Sequence, residues 1–113
     1  MPNQAVRLDR VFRALADPTR RAVLAQLNAG PAPLTVLARP FRMALPSFAQ
    51  HMDLLEDCGL VRSHKRGRVR TYTLSPKPLA AAEAWLADQR KLWERRLDQL
   101  DAYVTALKKD TTP

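Results

Sequence analysis

The sequence predicts a mainly α fold with one small antiparallel β-hairpin. Apolar residues recur at helical spacing through most of the chain. The stretch from residue 60 to residue 74 changes to strand-favouring types around a glycine. At 113 residues and 46% apolar, the chain is long enough for one cored domain and short for two. Residues 1–113 are therefore taken as a single domain.

The first helix covers residues 4–16, where Ala5, Leu8, Val11, Phe12 and Leu15 share one face. Asp17-Pro18 starts the second. Aspartate at the N-cap accepts backbone N–H groups, and proline at the next position lacks only a donor that has no partner there. This helix runs through Ala22, Val23, Leu24 and Leu27 until Gly30-Pro31 and Pro33 turn the chain. Thr35 is read as the cap of a short third helix carrying Val36 and Leu37, limited by Pro40. Leu45-Pro46-Ser47 opens the fourth helix, with Phe48, Met52 and Leu55 on its inner face. Cys58-Gly59 closes it, glycine being suited to the left-handed position after the last turn.

Leu60 to Lys65 and Arg68 to Leu74 are the expected strands, around a turn at Arg66-Gly67. With that turn, strand alternation puts Arg68 and Arg70 on one face. Tyr72 is expected to pack the hairpin on the body. Ser75-Pro76-Lys77-Pro78 breaks the chain, and a last helix runs over residues 79–108 with no internal proline or glycine. Leu79, Leu86, Trp93, Leu100 and Leu107 recur every seven residues, joined by Leu97 and Val104 and widened by Trp85, Leu92 and Tyr103. A stripe this long exceeds what one small domain needs to cover. We expect a dimerisation helix, with Leu86, Trp93, Leu97, Leu100, Val104 and Leu107 in the interface.

Charge then sorts these elements. The formal net charge is +8, which points to a polyanionic partner. Residues 60–78 hold six bases (Arg62, Lys65, Arg66, Arg68, Arg70 and Lys77) and no acid. Residues 79–113 are neutral, with six of each sign, and residues 44–59 carry only the acids Asp53, Glu56 and Asp57. A single-sign hairpin beside a short helix pair is the plan of a winged helix-turn-helix. A helix fits the major groove, and a basic hairpin beside it reaches phosphates or the minor groove. Double-stranded DNA is thus the expected partner. Ser47 and Gln50 are the candidate base contacts, since glutamine pairs with adenine and serine serves several bases. Lys65, Arg66, Arg68 and Arg70 join them in the candidate interface.

Other classes fare worse. One cysteine excludes an internal disulfide and a Cys-rich zinc module. His51 and His64 lie in the reading elements, and the last helix has no His, so neither a metal nor another cofactor is expected. Cys58 reads as a small packing residue rather than a reactive thiol. Three glycines leave no phosphate-cradling loop, and no nucleophile–base pair marks an enzyme. No apolar run reaches the ~18 residues of a membrane span. Met1-Pro2-Asn3-Gln4 lacks the apolar core of a signal peptide. A cytoplasmic protein without a membrane partner is expected.

Several segments, in order, resemble the ArsR/SmtB-type transcriptional regulators. Val11-Phe12-Arg13-Ala14-Leu15-Ala16-Asp17-Pro18-Thr19-Arg20-Arg21 is similar to their opening signature, and Pro33-Leu34-Thr35-Val36-Leu37-Ala38 to their third helix. Residues 45–61 resemble the recognition helix and its exit, and Gly67-Arg68-Val69-Arg70-Thr71-Tyr72-Thr73-Leu74 the second wing strand. The resemblance implies a homodimeric operator-binding repressor, with the first and last helices in the dimer interface. It thereby adds Leu8 and Phe12 to that interface, and it places His51 on the histidine of the family's Ser-x-His pattern, where the ring either contacts DNA or packs at the helix edge. Separately, Trp85 and Trp93 of the last helix admit a small-molecule effector as a partner, with packing in the dimer core the simpler reading. This chain departs from the pattern at Ala44 and Ala49, where serine is common, and at Asp53, where many relatives carry a base. Coulombic attraction to DNA then falls to Arg39, Arg42 and the wing. The alternatives are a winged-helix module that binds protein and a non-specific basic nucleic-acid binder.

Overall fold

The computed structural model describes residues 4–111, with side chains from Arg7 to Asp110. The Ala5 side chain and the opening Met1-Pro2-Asn3 lie outside the described residues. The chain divides into two compact units, Met1–Ala82 and Glu83–Pro113.

The first unit starts with α1 (Gln4–Leu15) and α2 (Pro18–Leu27). Asp17 separates them as expected. Its carboxylate accepts the Thr19 N–H at 2.8 Å and the Arg20 N–H at 3.2 Å, and Pro18 opens the helix. α3 (Leu34–Ala38) is short, but Pro33 and not Thr35 precedes it, without a side-chain cap. Thr35 falls inside the first turn because Pro33 is held by the sheet. Ala32–Pro33 forms β1, a strand that the turn-forming prolines conceal. Its location explains the tolerance: the sheet order is β1-β3-β2, so the proline sits on an edge strand.

α4 (Leu45–Asp57) begins after Ala44, which supplies no side-chain cap. Its exit is a complete Schellman motif. The Gly59 N–H bonds Glu56 O at 2.9 Å and the Leu60 N–H bonds Leu55 O at 3.0 Å, with Gly59 at φ 81°. Phe48, Met52 and Leu55 are fully buried, as their spacing requires, and with Val23, Leu37, Leu60 and Val61 they make the core. Phe41 stacks on Phe48 with ring centroids 5.5 Å apart.

The wing is β2 (Val61–Arg66) and β3 (Val69–Leu74). The turn lies one residue later than expected, at Gly67-Arg68. Gly67 has φ 64°, and among the described residues no non-glycine residue has positive φ, the pattern of a type II′ hairpin turn. Arg68 is therefore at the tip, off the strand, and does not share a strand face with Arg70. Tyr72 is buried at 2% exposure, packing the wing on the body as expected.

α5 (Lys77–Thr111) starts two residues before its expected start and ends three after its expected end. Lys77-Pro78 is its first turn and not a break, because proline is accommodated there. Its opening belongs to the first unit, where Ala82 is buried and Leu79 packs on the core. From Glu83 onward the helix forms the second unit, and its large apolar side chains are exposed: Trp93 and Leu97 are each 60% exposed. Among the described residues no helix is long and apolar enough to cross a membrane.

Candidate nucleic-acid interface

α4 buries one face, so its opposite face must meet solvent or a partner. Ser47 and Gln50, three residues apart, are both exposed on that outward face. They occupy the N-terminal half, where unpaired backbone N–H groups make the helix end electropositive. The three acids all lie in the C-terminal half. Asp53 and Asp57 line a groove of about 560 Å³ together with Arg10 and Arg13 of α1. Glu56 accepts the Ser63 hydroxyl, at 2.7 Å and 2.9 Å to its two oxygens, and Ser63 in turn accepts Arg70 Nη1 at 2.8 Å. The acids of this helix thus lie in its C-terminal half, Asp53 and Asp57 in a groove that Arg10, Arg13 and Gln50 also line, and Glu56 bonded to Ser63 of the wing.

The wing carries its bases on both faces. Lys65 pairs with Arg70 across the strands, on the face that also holds Ser63 and Tyr72. Arg62, His64 and Arg66 alternate onto the other face, beside Val69, Thr71 and Thr73. Arg62, Lys65, Arg66, Arg68, Arg70 and Lys77 are all exposed. Like charges placed directly opposite destabilise a strand pair, so the Lys65–Arg70 pair has a cost that a bound polyanion would offset. Arg39 and Arg42 are exposed in the connection between α3 and α4. Burial, then the Glu56 carboxylate, push the Tyr72 phenol above its ordinary value.

His51 is placed differently from the other candidates. It is half-buried on the flank of α4, and its Nδ1 lies 3.0 Å from Arg20 Nη1. Asp17 Oδ1 is farther, at 4.0 Å. Arg20 also donates from Nε to Ala14 O at 2.8 Å and from Nη2 to Arg13 O at 2.9 Å, while Arg21 donates to Leu15 O at 2.7 Å. Two guanidinium groups therefore occupy the last carbonyls of α1. Sequence reasoning missed this role of Arg20. A signal was present, because a base in the first turn of a helix opposes the dipole and needs a reason to be there. Burial opposes ionisation of Asp17. The Arg20 N–H, the neighbouring His51, the Thr19 N–H and the Arg20 charge outweigh it and hold the carboxyl below the ordinary carboxylate range.

Cys58 is half-buried at the end of α4, its thiol donating to Leu55 O at 3.3 Å. Burial pushes that thiol up. Among the described residues no three His, Cys, Asp or Glu side chains cluster to hold a metal ion. Leu8 and Phe12 are half-buried on α1, and Leu86, Trp93, Leu97, Leu100, Val104 and Leu107 are exposed on α5.

Comparison with known proteins agrees with the helix-turn-helix fold. A helix-turn-helix domain family matches residues 15–64. The chain is 38% identical over 89 residues to the HTH-type transcriptional regulator Rv2034 of Mycobacterium tuberculosis, covering 79% of this chain and 80% of that protein. It is 29% identical over 79 residues to the transcriptional repressor SdpR of Bacillus subtilis, covering 70% of this chain and 88% of the repressor. A solved ArsR family transcriptional regulator superposes with a TM-score of 0.79 at 55% identity, covering 83% of this chain and 97% of that one.

Proposed function

The chain belongs to the ArsR family of winged helix transcriptional regulators, and from that membership we propose a homodimeric repressor that reads its operator through α4. Ser47 and Gln50 contact base edges from the outward face of α4. Lys65, Arg66, Arg68 and Arg70, with Arg39 and Arg42, hold the phosphates on either side. The observation that carries this reading is the wing and its exit: six bases, no acid, all exposed, beside a helix whose own reading end is uncharged.

The dimer forms through α5 with Leu8 and Phe12 of α1. Along residues 83–111, exposed apolar side chains span an arc of about 140° at 100° per residue, wider than a two-helix seam. That arc supports packing against more than one neighbouring helix. Two α4 helices of such a dimer enter successive major-groove faces about 34–36 Å apart. In the cytoplasm, a signal such as a small-molecule effector alters their relative placement and releases the DNA.

Genome-wide mapping of bound sites, followed by footprinting, tests this reading. A protected and roughly palindromic site is expected; protection at no promoter refutes it. The exposed Asp53 and Asp57 favour a second reading, a protein-interaction module. Such a module would bind random duplex without the steep loss of affinity between low and moderate salt that phosphate contacts impose.

A further inference from the structure

Arg20 is the one described side chain seen to bond main-chain or side-chain atoms of both α1 and α4. Its planar guanidinium directs three separate N–H groups at Ala14 O, Arg13 O and His51 Nδ1, at 2.8, 2.9 and 3.0 Å. A guanidinium only donates, so His51 Nδ1 is the acceptor and the ring proton sits on Nε2. His51 is the seventh of the thirteen residues in α4, one position after Gln50. Asp17 Oδ1, before α2, stands farther from the ring, at 4.0 Å from Nδ1.

We propose that Arg20 and His51 form a clamp that sets the angle of α4 against the α1–α2 corner. Both are then positioning residues for operator recognition, and His51 does not read bases. The inference rests on the reading of α4 as the helix that enters the groove. A rotation about the middle of a helix moves both of its ends. In a dimer joined partly through α1, the clamp links the dimerising element to the reading element, so its loss changes the spacing of two half-sites as well as the fit of each. A lysine cannot replace Arg20, because an ammonium lacks the fixed fork that serves three acceptors in one plane.

Two isosteres separate the clamp from a base contact. The asparagine amide reaches the position of Nδ1, and the glutamine amide reaches that of Nε2. Random duplexes are first selected on the wild-type protein. Affinities of R20Q, H51N and H51Q are then measured on the selected site, and on versions with the half-sites one and two base pairs closer or farther apart. Melting temperatures are recorded alongside. R20Q and H51Q should lose at least about tenfold in affinity for the selected site and their preference for its spacing. H51N should stay within about threefold and keep the spacing. H51Q leaves the Arg20 bonds to α1 in place, so it answers the question even if R20Q melts early. In the free wild-type protein, imidazole nitrogen spectra should show the Nε2–H tautomer at neutral pH. H51Q outperforming H51N would make His51 a base contact and overturn the clamp. Undiminished affinity and spacing in both R20Q and H51Q, or an Nδ1–H tautomer, would also overturn it. A wild-type protein that selects no sequence refutes the reading of α4 itself, which is a distinct result.

Discussion

Replacing Asp17 tests how the corner that carries α4 is held. Its carboxylate accepts two backbone N–H groups, at 2.8 and 3.2 Å, and its side chain is 30% exposed. Loss of an aspartate N-cap to alanine costs about 0.5–2 kcal/mol. Two part-buried donors place D17A in the upper half, at about 1.5 kcal/mol. With a urea dependence of about 1–2 kcal/mol per molar, the midpoint should fall by roughly 1 M. D17N separates charge from cap, because asparagine caps as well as aspartate but carries no charge. It should cost only about 0.3–1 kcal/mol, the value of an anion at a helix N-terminus. The pH dependence has a definite sign. Asp17 titrates below its ordinary value in the folded chain, so its charge stabilises the fold fully above the unfolded value of about 3.9. That contribution is lost as pH falls through the lower, folded value. Urea melts of wild type, D17N and D17A at one fixed protein concentration, at pH 7 and below pH 3, provide the assay. The gap between wild type and D17N should close in acid. A gap that stays unchanged there, or D17A matching wild type at pH 7, refutes the reasoning.

Phe48 has no solvent exposure, so F48A should lose about 3–5 kcal/mol, read as a collapse of the thermal transition. Changing Lys65 and Arg66 together to alanine should flatten the slope of log affinity against log salt by about 0.9 for each phosphate that is no longer neutralised. The same slope in the variant would remove these residues from the interface. L100K together with V104K should convert the dimer to monomer in sedimentation at micromolar concentration while the far-ultraviolet helix signal of the first unit persists. The raised Cys58 thiol should react with an aromatic disulfide slowly at pH 7 and faster only above the ordinary thiol range, whereas rapid reaction at neutral pH would show an activated thiolate.

Local signals carried most of this fold. Asp17-Pro18 and Cys58-Gly59 mark helix ends because the chemistry that satisfies those ends lies within five residues. The inner face of α4 follows from spacing alone. β1 was hidden because two residues hold no period, and Pro33 argues against a strand until the edge position is known. The wing turn was misplaced by one residue because Arg66-Gly67 and Gly67-Arg68 both contain the glycine, and only the cross-strand register distinguishes them. Of the candidate interface, the basic content of the wing was legible. The setting of α4's acids was not, since Ser63 meets Glu56, and Arg10 and Arg13 come to share a groove with Asp53 and Asp57, only after folding. The clamp on His51 was hidden for the same reason: Arg20 spans 31 positions to make that contact.

The pairing of β1 with β3 has a consequence for how such a chain can vary in length. Ala32 is fixed opposite Tyr72 and Pro33 opposite Thr71, so the segment leading into α3 is stitched to the middle strand. Tyr72 is itself buried in the core. An insertion or deletion between Gly30 and Leu34 would pull that buried ring out of register. The opposite end of β3 meets only the exposed Gly67-Arg68 tip, and apart from Gly67 and its two chain neighbours no atom lies within 4 Å of where a Cβ on Gly67 would sit. Extra residues there meet open space. The hairpin tip is therefore where wing length can be lengthened or shortened, by evolution or by design, while the body of the fold stays unchanged.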